Sequence, residues 1–224
     1  MKTLLIATKN KGKFNEFVGV LKNLPFKLIF LDEIPRFLEM STSEVEYSRN
    51  LGTCSTFGTF GVKRAVKRIV KETGKTFEEN AAIKAKAYGK MSGLLTLADD
   101  SGLCVDFLKG KPGIKSRRYA KGSDQARFEK LLKEMRNVSK EKRQAKFISA
   151  IALYNPKNKK IIVKKGECRG KIAFKPKGRR GFGFDPVFIV DGLDKHFAEL
   201  TLEEKNSVSH RARALRKMRK NIIV

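Results

Sequence analysis

The sequence predicts an α/β fold, and three observations carry that reading. Short apolar runs alternate with amphipathic helical stretches along the chain. Two such runs, TLLIA at residues 3–7 and FKLIFL at 26–31, enclose one helical stretch, the pattern of a parallel βαβ unit. No internal repeat or low-complexity linker interrupts the 224 residues, which suffice for one domain or for two lobes sharing a sheet.

The first run reads as a buried strand. A basic loop follows: Thr8, Lys9, Asn10, Lys11, Gly12 and Lys13. A helix begins near Gly12, with Phe14, Phe17, Val18 and Leu21 on one face. Residues 36–71 read as a long loop rich in Gly, Ser and Thr, then a short basic helix at 62–72; length and composition mark an insertion or lid. Thr76 is a helix N-cap with Glu79 three residues on, and this helix carries Asn80 and Lys84 on one face. LLTLA at 94–98 reads as a strand that ends at Asp99 and Asp100, with Ser101-Gly102 in a tight turn. Ser123 and Asp124 cap a helix to about Met135. AKFISAIALYN and KKIIVKKGE form a β-hairpin turning at 156–158, able to build a second lobe. VFIV at 187–190 is another strand. The chain closes with a helix from about Glu203, with Val208, Ala212, Leu215 and Met218 inward.

Composition narrows the function classes. Fifty Lys and Arg against 23 Asp and Glu give a net charge of +27. Such a chain either attracts polyanions, non-specific nucleic acid among them, or has a Lys-rich solvated surface. No apolar stretch approaches the roughly 20 residues of a membrane span, and Leu4 to Ala7 is too short for a signal-peptide core. A cytoplasmic protein is expected. Cys54, Cys104 and Cys168 lack metal-ligand spacing and are expected as reduced thiols. With two His, any metal is expected on oxygen ligands, as Mg2+ or Mn2+ are.

Four stretches suit chemistry, each with a plainer reading beside it. The loop Thr8 to Lys13 at a helix N-terminus is a phosphate cradle or a solvated turn. Asp99 and Asp100 are at the ligand crevice of an α/β sheet, where a cation would keep them ionised; alternatively, Asp100 starts an Asx turn. In GRRGFGFDPVF, Phe182 or Phe184 stacks on a base, or both rings belong to the core. Lys205, His210 and Arg211 are donors for a carbonyl or phosphate, or an exposed basic face.

Taken in order, "LLIATKNKGKFNEF", "ETGKTFEENAAIKAKAY", "LADDSGLCVDFLKGKPGIKSRRYA", "RQAKFISAIAL", "GECRGKI", "GFGFDPVF" and "AELTLEEKNSVSHRARAL" resemble the Ham1-like inosine triphosphate pyrophosphatases. The resemblance spans nearly all of 1–224 as a single domain, except 36–71. It implies an elongated mixed sheet flanked by helices, with two lobes around a central cleft, and a homodimer. It also implies Mg-dependent hydrolysis of ITP, dITP and XTP to the monophosphate and pyrophosphate, which keeps these nucleotides out of DNA and RNA. By position, Thr8 to Lys13 contact the triphosphate, Asp100 is the base and a metal ligand, and Ser101 touches substrate. Asn80 and Lys84 point at phosphates and metal. Phe182, Gly183, Phe184 and Asp185 form the base-binding block, and Lys205, His210 and Arg211 read the purine and its 6-oxo group. The two adjacent acids are expected to serve the metal and the water. Three departures stand out. Lys71 precedes Glu72 where the family often has two acids, which leaves Glu72 as the second metal ligand. Phe184 replaces a frequent Tyr, and Arg117 a small residue. The alternative is a basic nucleic-acid-binding protein on a degenerate pyrophosphatase scaffold.

Overall fold

A computed structural model describes residues 1–34 and 70–223. One mixed sheet of six strands organises them: β1 (Lys2–Ile6), β2 (Phe26–Phe30), β3 (Leu95–Val105), β4 (Gln144–Tyr154), β5 (Ile161–Ile172) and β6 (Phe188–Val190), in the order β2-β1-β3-β4-β5-β6. Among the described residues five α-helices pack on it: α1 (Lys11–Leu21), α2 (Phe77–Ser92), α3 (Asp124–Glu134), α4 (Leu202–Val208) and α5 (His210–Ile222). The βαβ unit is present, with β1 parallel to β2 from Lys2 opposite Phe26 to Ile6 opposite Phe30. Among the described residues no helix is long and apolar enough to cross a membrane. The predicted insertion, 36–71, lies outside the described residues, apart from Val70 and Lys71.

Two expectations change. First, β3 does not stop before the acids. It runs through them, pairing antiparallel with β4 from Thr96 opposite Tyr154 to Val105 opposite Ala145. Ser101 and Gly102 are mid-strand, and the turn reading fails. Gly102 is there for close approach: a Cβ would lie 2.3 Å from the Gly113 carbonyl and 2.6 Å from Ser116 Oγ. Second, the C-terminal helix is two helices. Ser209 is extended, and its Oγ takes the Ala212 N–H at 3.2 Å to start α5. The expected hairpin is present: β4 and β5 pair antiparallel along their length within the one sheet, with β3 on the other side of β4.

Successive side chains of β3 point to opposite faces of the sheet, and different helices cover the two faces. On one face, α1 and α5 cover Leu4, Ile6, Leu97, Ile151 and Leu153. Farther along, Leu131, Met135, Phe188 and Phe197 cover Leu103, Val105 and Phe147. On the opposite face, Phe77, Ala81 and Ala85 of α2 cover Ala98, Ala150 and Ala152. Helix α1 buries Phe17 and Leu21 as expected, but Val18 is exposed and Glu16 turns inward. Thr76 does cap α2, its Oγ1 accepting the Glu79 N–H at 3.1 Å, while the Glu79 carboxylate takes the Lys75 N–H.

Helix α5 lies directly on β5. A Cβ at Gly166 would lie 2.2 Å from the His210 carbonyl and 2.5 Å from the Ala214 nitrogen. The backbone on both sides has nowhere to yield. Gly166→Ala is therefore expected to cost about 3 kcal/mol in urea unfolding. An unchanged unfolding midpoint would refute this packing.

Candidate active site

Strand β1 ends early beside β3. Its last pair is Ile6 opposite Leu97, and the Ala7 N–H closes the ladder on the Leu97 carbonyl at 2.7 Å. Beyond that point β3 continues paired with β4, and among the described residues its other side next meets a bridge from Cys104 to Pro112, which leaves a notch at the carboxyl end of β1. This is where ligands enter α/β sheets. Thr8 to Lys13 form its rim. Asn10 caps α1 through its Oδ1, which accepts the Lys13 N–H at 3.0 Å, and Thr8 Oγ1 accepts the Asn10 N–H at 3.2 Å. Lys9 and Lys11 are exposed at the rim.

Asp99 and Asp100 point to opposite faces, so the expectation that both serve metal and water is corrected. Asp99 is buried on the α1/α5 face. Lys13 Nζ reaches its Oδ2 at 2.6 Å, Arg211 Nη2 the same oxygen at 3.3 Å, and Ser149 Oγ donates to Oδ1 at 2.6 Å. Ser101 Oγ, at 3.0 Å, completes its shell. Burial alone would raise the Asp99 carboxyl; the Arg211 and Lys13 charges instead hold it well below the carboxylate range.

From Asp99 a line of alternating charge crosses the interior. Arg211 pairs next with Glu16. Glu16 pairs with Lys205 at 2.9 Å, and Lys205 with Asp185 at 2.5 Å. The sequence Lys13, Asp99, Arg211, Glu16, Lys205, Asp185 is three cations and three anions, alternating in sign throughout. Glu16 shows the balance: burial raises its carboxyl, yet Arg211 and Lys205 bring it down to about 2. This line divides the two apolar clusters on that face.

The glycine-rich loop hangs on its end. Asp185 accepts the Phe182 N–H at 2.8 Å, and the Asp124 carboxylate accepts the Gly183 N–H at 2.7 Å. Phe182 is half-buried over the cations, 4.8 Å from Lys205 Nζ and 5.8 Å from the Arg211 guanidinium. It lies against Gly12, where a Cβ would come within 2.6 Å of the ring. Phe184 is in the core, edge-on to Tyr119 at 6.2 Å; of the two readings of this ring, the core one holds. His210 is buried and stacked on Phe147 at 4.8 Å. Burial, then the Arg211 charge, keep its imidazole neutral by pushing its pKa well below the usual value.

On the other face Asp100 gathers the remaining candidates. Asn80 Nδ2 donates to it at 3.2 Å and Lys84 Nζ lies 3.2 Å away. Lys84 also meets Glu72 at 3.0 Å. Asn80 is itself fixed, its Oδ1 accepting the Gly74 N–H at 2.9 Å. Burial raises the Asp100 pKa despite the opposing pull of Lys84. Lys71 is exposed beside Glu72.

The structure thus gathers the expected residues in two groups on either side of one strand. It adds Glu16, Ser149 and Asp124, which the sequence alone did not single out for the site. Glu16 had one visible signal, its place beside Phe17 on the face of α1 that also carries Lys13. The buried line makes a clear demand. Asp99→Asn leaves Lys13 and Arg211 undercompensated in the interior and is expected to cost about 3–5 kcal/mol in denaturant unfolding. A loss below about 1 kcal/mol would mean that the ion pairs are expendable.

A Ham1 family model matches residues 4–221. A dITP/XTP pyrophosphatase of Geobacter sulfurreducens is 43% identical over 217 residues, 96% of this chain and 94% of that protein. One from Bacillus subtilis is 41% identical over 222 residues, 98% of this chain and 96% of that one. A HAM1 protein structure from Coxiella burnetii superposes with a TM-score of 0.76 at 32% identity, covering 99% of this chain and 98% of that one. With the notch, the loop and both charged groups in place, the chain belongs to the Ham1 family.

Proposed function

We propose that this protein hydrolyses non-canonical purine nucleoside triphosphates (dITP, XTP and ITP) to the monophosphate and pyrophosphate. The observation that carries the reading is Asp100: a buried carboxylate with a raised pKa, oriented by Asn80 and Lys84, beside a phosphate-suited loop. Similarity to dITP/XTP pyrophosphatases supports the substrate class.

Asp100 and Glu72 are two oxygen donors on one ammonium, a set that fits a hard divalent cation completed by phosphate and water. Magnesium, or manganese in its place, would be held by these two and would neutralise phosphoryl charge. Asp100 orients a water and accepts its proton as oxygen attacks the α-phosphorus; the bond to the bridging oxygen breaks and pyrophosphate leaves. Lys84 lies against the developing charge, and the N-terminus of α1 with Lys9 and Lys11 holds the phosphates. Phe182 offers its ring to the base, and Arg211 and His210 face the purine edge. Arg211 Nε is a donor buried without a partner among the described residues, which supports an acceptor being selected there, and the unpartnered His210 Nδ1 joins it in the tautomer that carries the proton on Nδ1. A 6-amino group offers no acceptor, so ATP is disfavoured.

Pyrophosphate release tests the reading. The expected outcome is magnesium-dependent turnover of dITP, XTP and ITP at least about 100-fold above ATP. Asp100→Asn should lower kcat by about 100-fold or more with the fold intact. The ionised carboxylate is the active form and its pKa is raised. Wild-type activity should therefore fall on acidification at a pH above the ordinary aspartate range. Full activity of Asp100→Asn at saturating magnesium would remove Asp100 from the chemistry.

A further inference from the structure

We infer that a groove between α5 and the free edge of β5, apart from the notch, binds the phosphate backbone of duplex nucleic acid. Among the described residues β6 pairs with Gly170, Lys171 and Ile172 and the Asp191 N–H reaches the Arg169 carbonyl at 3.2 Å, while β5 before Arg169 has no strand partner on that side. Because Gly166 lets α5 lie against the strand, the outer face of the helix stands beside this edge. The groove has a volume of about 520 Å³ and is lined by Lys165, Glu167, Arg169, Arg213, Arg216 and Lys217. Of these, Glu167 is paired with Lys146 and Lys165 with Glu78, which leaves Arg169, Arg213, Arg216 and Lys217 as four cations with no carboxylate partner among the described residues.

The helix cations are held in place without being neutralised. Arg213 Nη1 donates to the Glu167 carbonyl at 3.0 Å, and Lys217 Nζ to the Lys165 carbonyl at 2.9 Å. Arg216 Nη1 donates to the Ser207 carbonyl at 3.1 Å. Carbonyls fix the side chains but carry no net charge, and no carboxylate pairs with these three among the described residues. Blunting the strand edge accounts for the contacts of Arg213 and Lys217, but not for Arg216, Arg169 or Lys220. Arg213, Arg216, Lys217 and Lys220 form an i, i+3, i+4, i+7 stripe, and α5 contains no acid. From Arg213 to Lys220 the stripe spans about 10 Å of the 13-residue helix, enough to meet about two successive phosphates.

The chemistry favours duplex over other polyanions. None of the six lining residues is aromatic, whereas single-strand grooves stack bases on aromatic rings. A membrane-surface helix needs an apolar face to insert, but that of α5, with Ala214, Leu215 and Met218, is buried in the core. The contact is then electrostatic and independent of sequence.

Fluorescence anisotropy of a labelled DNA duplex of about 20 base pairs, without nucleotide or metal, tests this across about 50–300 mM salt. Wild type should bind with affinity falling steeply with salt. Arg213→Gln with Lys217→Gln keeps both amide donors for the carbonyls and removes two charges; it should weaken binding about tenfold and flatten the salt slope by nearly two. Arg169→Gln with Lys220→Gln, one lining the groove and one at the end of the stripe, provides a second variant should the first fold poorly, and should weaken binding severalfold. Lys140→Gln with Lys142→Gln, remote from the groove, should leave affinity within about twofold. Turnover of dITP by the groove variants should be unchanged, which separates this site from the catalytic one. Absent duplex binding at the lowest salt, equal loss from the remote variant, or tighter binding of the single strand or of phosphatidylserine vesicles would each overturn the inference.

Discussion

Everything near the notch depends on one constraint: charges taken out of water must be paired with other charges. Lys13, Asp99, Arg211, Glu16, Lys205 and Asp185 satisfy it as an alternating line whose net charge is zero. Each member has a neighbour of opposite sign, and Asp99 adds two hydroxyl donors. A line of this kind is costly to desolvate and costly to break. Its value is positional. It ties the N-terminus of α1, the centre of β3, the start of α5 and the glycine-rich loop to one another, and these are the stretches that border the notch.

Strand β3 then separates two tasks. Alternation sends Asp99 into this line and Asp100 to the opposite face, where burial raises rather than lowers the carboxyl. Two adjacent acids in one strand thus acquire opposite electrostatic characters. One stays ionised and fixed. The other is suited to exchanging a proton and holding a cation. The early end of β1 leaves the notch beside both residues, and the proposed triphosphate site uses the loop, Asp100 and the cations beneath Phe182 together.

Much of this was legible in the sequence because it is local. The strand, loop and helix at the start, the Thr76 cap and the shared face of Asn80 and Lys84 follow from spacing alone. The resemblance, carried by seven ordered blocks, named the other residues. What escaped was long-range. Glu16 meets Arg211 across 195 positions, and Asp99 meets Ser149 across 50. The strand through the acids was missed for the same reason: carboxylates belong in a buried strand only once distant cations are counted. Ser101-Gly102 looked like a turn because local propensity cannot show that Gly113 and Ser116 pack against the strand at residue 102. Ser209 broke the last helix by capping, which competes with a continuous apolar stripe.

Whether the buried charges act as one unit is decided by a double-mutant cycle in denaturant unfolding. Asp99→Asn and Glu16→Gln alter two residues that share Arg211 between them. A continuous line predicts that their effects are coupled, departing from additivity by about 1 kcal/mol or more. Additivity within about 0.5 kcal/mol would contradict it, and would leave separate ion pairs in place of a continuous line.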